Sequence, residues 1–266
     1  MAKTFTIINQ KGGVGKTTTA EALARGLTEI RNKKVLCIDL DPQANLSLTL
    51  QAEEGKLTSL DVLQNPHKVQ EATQAIAPNL FCIPSTAKLT NAGTTGGVQH
   101  VTKLKEALQL VSKDYDYIII DTPPSLSILT INALVASQEC VITTQADLFS
   151  MRGIVSLYAS IRVVMSKANP DLKIAGVLLT RFNPRTSISK AFVEQMEKTV
   201  ASMNTKLFKA TIRECNAIRE AQVKLESIFT YAPKSNASKD YKAFIDELLP
   251  VKAKPLPTKP MPGLLY

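Results

Sequence analysis

The chain has 266 residues, with 32 Lys or Arg against 23 Asp or Glu, a net charge of +9. Hydrophobic residues make up 44% and charged residues 21%, a balance that fills a globular core and excludes a disordered or fibrous chain. Its apolar runs fall far short of the roughly 20 residues that cross a bilayer, and the N-terminal stretch has no signal-peptide layout, so a cytoplasmic protein is expected.

Cys37, Cys82, Cys140 and Cys215 stand far apart, three of them inside apolar strand-like runs, and the histidines are His67 and His100. Without a Cys-x-x-Cys pair, buried free thiols are expected rather than a metal cluster or structural zinc. The charge is unevenly placed. Residues 1–149 carry 13 basic against 14 acidic side chains, whereas residues 150–266 carry 19 against 9. The whole excess lies in the second half, which suits a polyanion-facing surface or a solvated basic face.

Short β-branched runs predict strands at Phe5–Asn9, Val35–Asp39, Leu80–Pro84, Tyr117–Asp121, Cys140–Thr144 and Ala175–Thr180, with shorter ones near Ala210–Ile212 and at Ser227–Phe229. Apolar residues at helical spacing predict helices over Thr18–Glu29 and Val101–Val111 between them. Such alternation predicts an α/β fold, a doubly wound and mostly parallel sheet flanked by helices on both faces. Ligands in these sheets sit at the carboxyl ends of the strands. Residues 1–249 are expected to form one domain. From Pro250 to Gly263 there are five prolines in fourteen residues, so 250–266 is expected to be an extended or disordered tail.

In chain order, the first motif is Lys11-Gly-Gly-Val-Gly-Lys-Thr-Thr18, between the first strand and the first helix. Backbone amides of such a turn form a nest for phosphate, and the helix N-terminus adds positive potential. Gly12, Gly13 and Gly15 permit the close approach. Lys16 would reach the β- and γ-phosphates and Thr17 would ligate Mg2+, with Val14 and Thr18 completing the nucleotide contacts. The usual P-loop glycine six residues before the lysine is Gln10 here.

Next, Val35-Leu-Cys-Ile-Asp39-Leu-Asp41-Pro-Gln-Ala44-Asn45 ends a strand with two acids that point the same way, and Tyr117-Ile-Ile-Ile-Asp121-Thr-Pro-Pro124 ends an apolar strand in Asp121. Asp121 is placed to hold a metal-bound water. Lys11 together with these segments resembles the deviant Walker A box and companion boxes of the ParA/MinD superfamily. The segments Thr144–Gly153, Leu178–Thr186 and Ile212–Ala221 also resemble ParA-type partition ATPases, so the likeness spans nearly the whole chain. Ala44 stands where the family usually has Gly, and Arg213 and Glu214 where relatives carry Pro and Arg.

That resemblance implies a weakly turning-over ATPase with ATP and Mg2+ as cofactors. It implies that Lys11 crosses a homodimer interface to the partner's phosphates, that Asp41 activates the attacking water, and that Asp39 supports the Mg2+ shell. Lys11, Lys16 and Asp41 are thus the expected catalytic residues, and Thr17, Asp39 and Asp121 the expected metal shell, the aspartates through water. The implied partners are nonspecific double-stranded DNA on the nucleoid and a ParB-type centromere-binding protein. Lys190, Lys198, Lys206, Lys209, Arg213, Arg219 and Lys224 gather in the last third, with Arg213, Arg219 and Lys224 the chosen DNA contacts. Either arginine could instead pair with Glu214 or Glu220. No membrane contact is expected, because the proline-rich tail cannot present the amphipathic helix of MinD relatives. A nucleoid-based positioning ATPase with a protein cargo, or a MinD-like membrane-associated regulator, is the alternative.

Overall fold

The computed structural model describes residues 1–53, 57–91, 101–185 and 187–250, apart from the side chains at 91, 148, 149, 187 and 188. The expected tail beyond Pro250, His100 and Thr186 lie outside the described residues. Seven strands form one sheet: β1 (Lys3–Ile8), β2 (Val35–Asp39), β3 (Gln74–Ala77), β4 (Leu80–Ile83), β5 (Tyr117–Asp121), β6 (Glu139–Thr144) and β7 (Lys173–Leu179). Their order is β3-β4-β2-β5-β1-β6-β7. Among the described residues, only the β3–β4 pair is antiparallel.

The helices are α1 (Lys16–Arg25), α2 (Asn45–Thr49), α3 (Ser59–Gln64), α4 (Val69–Ala72), α5 (Lys103–Val111), α6 (Ile128–Ala136), α7 (Leu148–Lys167), α8 (Ser187–Ser202), α9 (Asn216–Lys224), α10 (Ile228–Tyr231) and α11 (Asn236–Leu248). Alternate residues of each central strand face opposite layers. Val35, Cys37 and Ile119 join the core under α1 and α11, while Leu36, Ile38, Ile118 and Ile120 join the core under α3, α5 and α6. Because both faces are covered, β2 and β5 read as unbroken apolar runs rather than alternating ones.

The expected sheet is present, with differences that have physical causes. The first helix starts at Lys16 and continues past Arg25 as a wider turn over Gly26–Ile30. Gly26 leaves room for α11 there, since a Cβ would meet the tip of the Ile245 side chain. Strand β3 was not expected; its four residues alternate between half-buried and exposed at the sheet edge. The stretch near Ala210–Ile212 is not a strand. Phe208 and Ile212 donate to Val177 and Leu179, but between them the amides of Lys209 and Ala210 turn to the Glu247 carboxylate, which breaks the ladder. Ser227–Phe229 is not a strand either. Ser227 Oγ accepts from Phe229 N and caps α10, so a local cap overrides the β-branched composition. Cys37, Cys82 and Cys140 are buried and Cys215 is half-buried, all as free thiols.

Candidate functional site

The loop after β1 is pinned before it is shaped. Asn9 Nδ2 donates to Thr143 O at 2.6 Å and its Oδ1 accepts from Lys11 N at 2.9 Å. Gly13 and Gly15 then take φ of 72° and 79°, the left-handed region where a side chain is costly. Thr180 Oγ1 lies 2.9 Å from Val14 O and 3.0 Å from Thr144 O, and Gln145 Nε2 donates to Gly13 O at 3.0 Å. These bonds turn the loop's carbonyls toward the sheet. Gly15 is the N-cap of α1 and offers no side-chain acceptor, so the first amides of that helix remain available to an anion. The loop borders a cavity of about 710 Å3 whose other walls include Asp41, Asn45, Ile212, Ile218 and Gln222.

Charge is concentrated beneath the loop. Lys16 is 6% exposed and its Nζ donates to Lys11 O at 3.2 Å. Burial pulls its ammonium below the usual lysine range, while Asp121 and Asp41 oppose that pull. Asp39 and Asp121 are register partners at the ends of β2 and β5, and both are fully buried. Burial drives both carboxyls upward, for Asp121 with added repulsion from Asp39 and for Asp39 with added repulsion from Asp41. Thr17 Oγ1 donates to Asp121 Oδ2 at 2.6 Å.

Asp39 spends its oxygens on the chain itself. Asp41 N donates to Oδ1 at 3.0 Å, and Ser47 N and Oγ donate to Oδ2 at 2.8 and 2.7 Å. It therefore fixes the turn that presents Asp41, whose Oδ1 accepts from Gln43 N at 3.0 Å. Ala44 in that turn has φ 53°, which explains why a glycine is the unstrained choice there.

Lys11 stands at the rim of the loop, and its side chain turns to a partner outside it. Its Nζ is 2.8 Å from Asp147 Oδ2, with the two side chains 43% and 33% exposed. Asp147 also caps α7, accepting from Ser150 N at 3.0 Å. Partial burial works against its ionisation, but the Lys11 and Ser150 bonds hold the carboxyl below the usual range. Neither Asp147 nor the supporting Asn9, Thr180, Gln145 and Gln222 was singled out from sequence. Asp147, Gln145 and Thr180 fall inside segments whose family likeness was visible, whereas Gln222 had no signal.

Several of the basic residues are already paired with carboxylates. Arg213 makes a two-pronged pair with Asp240, Nε to Oδ2 at 2.9 Å and Nη2 to Oδ1 at 2.6 Å, so its partner is neither Glu214 nor Glu220. Arg219 and Arg181 share Glu214 at 3.1 and 2.9 Å. Lys206 pairs with Glu247 at 3.4 Å, and Lys190, Lys198, Lys209 and Lys224 are exposed. Among the described residues, no helix is long and apolar enough to cross a membrane, and no group of three or more His, Cys, Asp or Glu could cage a metal.

Strand order, amide-lined loop and paired strand-end aspartates together define a P-loop NTPase of the doubly wound type. A family model described as an AAA domain matches residues 2–174. The sporulation initiation inhibitor protein Soj of Bacillus subtilis is 37% identical over 246 residues, 91% of this chain and 96% of Soj. The chromosome partitioning protein ParA of Myxococcus xanthus is 34% identical over 248 residues, 91% of this chain and 86% of that protein. A plasmid partition protein of Borrelia burgdorferi, solved bound to AMPPNP, superposes with a TM-score of 0.80 at 27% identity, covering 94% of this chain and 99% of that one. The chain belongs to the ParA/Soj family of P-loop ATPases.

Proposed function

We propose that the chain is an ATP-dependent DNA-partition ATPase. It dimerises on MgATP, binds nonspecific double-stranded DNA on the nucleoid, and is released when a ParB-type partner stimulates hydrolysis. The observation that carries this reading is the pair of lysines on one loop. Lys16 is buried beneath the loop, and Lys11 stands at its rim on an exposed ion pair that a second subunit can exchange for phosphate.

In this reading Lys16 and the amides of residues 12–18 hold the triphosphate, and Lys11 of one subunit neutralises charge on the partner's transferring phosphoryl group. The donor set around the loop is all oxygen and lacks a protein cage, which fits Mg2+, an ion that keeps most of its waters and leans on substrate phosphates. Thr17 would ligate it, and Asp121 would orient Thr17 and a bound water. Bound there, the ion would offset the charge on the β- and γ-phosphates. Asp39 positions the Asp41 turn, and Asp41 directs the attacking water. Arg219 and Lys224, which are exposed, serve the DNA face better than Arg213, since Asp240 holds Arg213 in a two-pronged pair whereas Arg219 only shares Glu214 with Arg181. Two weak basic faces in one dimer gain affinity by effective concentration, which makes DNA binding ATP-dependent.

The test is DNA retention with MgATP, MgADP and no nucleotide across a salt series. Retention confined to ATP and falling steeply with salt is expected, and Lys11→Ala should abolish it. Equal retention with ADP, or an unchanged Lys11→Ala variant, overturns the reading.

A further inference from the structure

Helix α9 walls the nucleotide cavity yet is held lightly. Of its nine residues only Ala221 is buried, with Ala217 and Ile218 packed partly against the core. Val223 is 82% exposed. The helix ends at Leu225, a non-glycine residue with φ 56°. Ile218, Arg219, Gln222 and Val223 border the same cavity as Gly13, Gly15, Lys16, Thr17 and Thr18. One side-chain bond links the two walls directly: Gln222 Nε2 donates to Thr18 Oγ1 at 3.2 Å, across 204 residues of sequence. An element with so little buried surface takes its position from such tethers.

We propose that Gln222 is a positioning residue that couples the phosphate loop to α9. The inference rests on the nucleotide reading above and deepens it. A threonine hydroxyl has one hydrogen to donate and two lone pairs to accept with. Thr18 accepts from Gln222 and keeps its own hydrogen for a phosphate oxygen. A phosphate that takes that hydrogen polarises the hydroxyl and strengthens the bond from Gln222, since hydrogen bonds in a chain reinforce one another. Nucleotide binding therefore draws α9 toward the loop, and with it Arg219 and Lys224, which lie on the same helix. The coupling needs a donor at position 222. A carboxylate there would compete for the Thr18 hydrogen and repel the phosphate.

Amide hydrogen exchange on the full chain, with and without Mg-AMPPNP, reads both walls at once. In the wild type, nucleotide should slow exchange in residues 12–18 and in residues 217–224. In Gln222→Leu and in Gln222→Glu, protection of residues 12–18 should persist in the leucine variant, while the nucleotide-dependent protection of 217–224 falls in both by about 5-fold, the factor that one hydrogen bond's net contribution supplies. A merely structural role for Gln222 would change exchange in α9 equally with and without nucleotide, leaving that ratio unmoved and overturning the inference. Nucleotide protection of 217–224 that survives in the glutamate variant overturns it as well. If residues 12–18 of the wild type gain no protection, the nucleotide reading itself fails. If they gain it and 217–224 do not, only the coupling falls.

Discussion

The two walls of the nucleotide cavity are built on opposite principles. The inner wall, at the ends of β1, β2 and β5, is buried and fixed by backbone: glycines in the left-handed region, Asn9 and Thr180 gripping main-chain atoms, Asp39 tied by three donors. The outer wall, from Arg213 through α9, is held by side chains at the surface: Arg213 on Asp240, Arg219 and Arg181 on Glu214, Gln222 on Thr18. Buried backbone constraints are indifferent to salt and costly to break, whereas exposed ion pairs are worth little each and are screened. The molecule thus pairs a phosphate cradle fixed largely through its backbone with a wall held largely through side chains.

That contrast can be broken or sharpened by substitution, beginning with the cradle. Lys16→Ala should weaken binding of a fluorescent ATP analogue by about 100-fold, the scale of a charge-assisted contact, and the loss should vary little between 50 mM and 300 mM salt. A loss that salt erases would move Lys16 to the outer class.

Glu21 gives the next largest effect and a pH dependence. It lies buried on α1, paired with Arg25 at 3.2 Å, and burial raises its carboxyl from 4.5 to about 7 despite that partner. A folded pKa above the unfolded one means that the folded state holds the extra proton between these values. The group's contribution is therefore most favourable at low pH, falls as pH rises from 4.5 to about 7, and stays unfavourable above. Glu21→Gln should raise the melting temperature at pH 8, by an amount equivalent to about 2 kcal/mol, and change it little at pH 5. An equal shift at both values would rule out a carboxyl raised by burial.

On the outer wall, Asp240→Ala should cost about 1 kcal/mol in low salt and measurably less in 1 M salt by denaturant titration. The smallest effect belongs to Glu214→Gln. It releases Arg181 and Arg219 from a shared, exposed carboxylate, so stability should change by less than about 0.5 kcal/mol. Retention of DNA should rise by about 2-fold at low salt, with the gain lost at high salt. Unchanged retention would exclude this arginine pair from the polyanion-facing surface.

The cradle was legible in the sequence for the same reason that it is rigid. Its function is carried by local backbone geometry, so residues 11–18 had to be contiguous, and β2 and β5, buried on both faces, had to read as apolar runs ending in Asp39 and Asp121. Even the departure at Ala44 was visible as an odd residue in a turn, and its φ of 53° gives the reason. The outer wall was legible only in part, the Arg219–Glu214 pair being among the alternatives that its charge pattern offered. Strands expected near Ala210–Ile212 and at Ser227–Phe229 were overridden, one by the Glu247 carboxylate capturing two amides from 37 and 38 residues away, the other by a Ser227 cap. The choice of Asp240 by Arg213 spans 27 residues, and short-range charge patterning pointed to Glu214 or Glu220 instead.

By itself the sequence determined six of the sheet's seven strands, the phosphate loop and the strand-end aspartates, because hydrophobic period and glycine conformation act over a few neighbouring residues. Only the tertiary structure decided that Lys11 rests on Asp147, that Asp39 serves the Asp41 turn, and that Gln222 reaches Thr18. The first and last of those contacts join residues far apart in the chain, where a side chain's partner is chosen by which surfaces the packed core brings within about 3 Å.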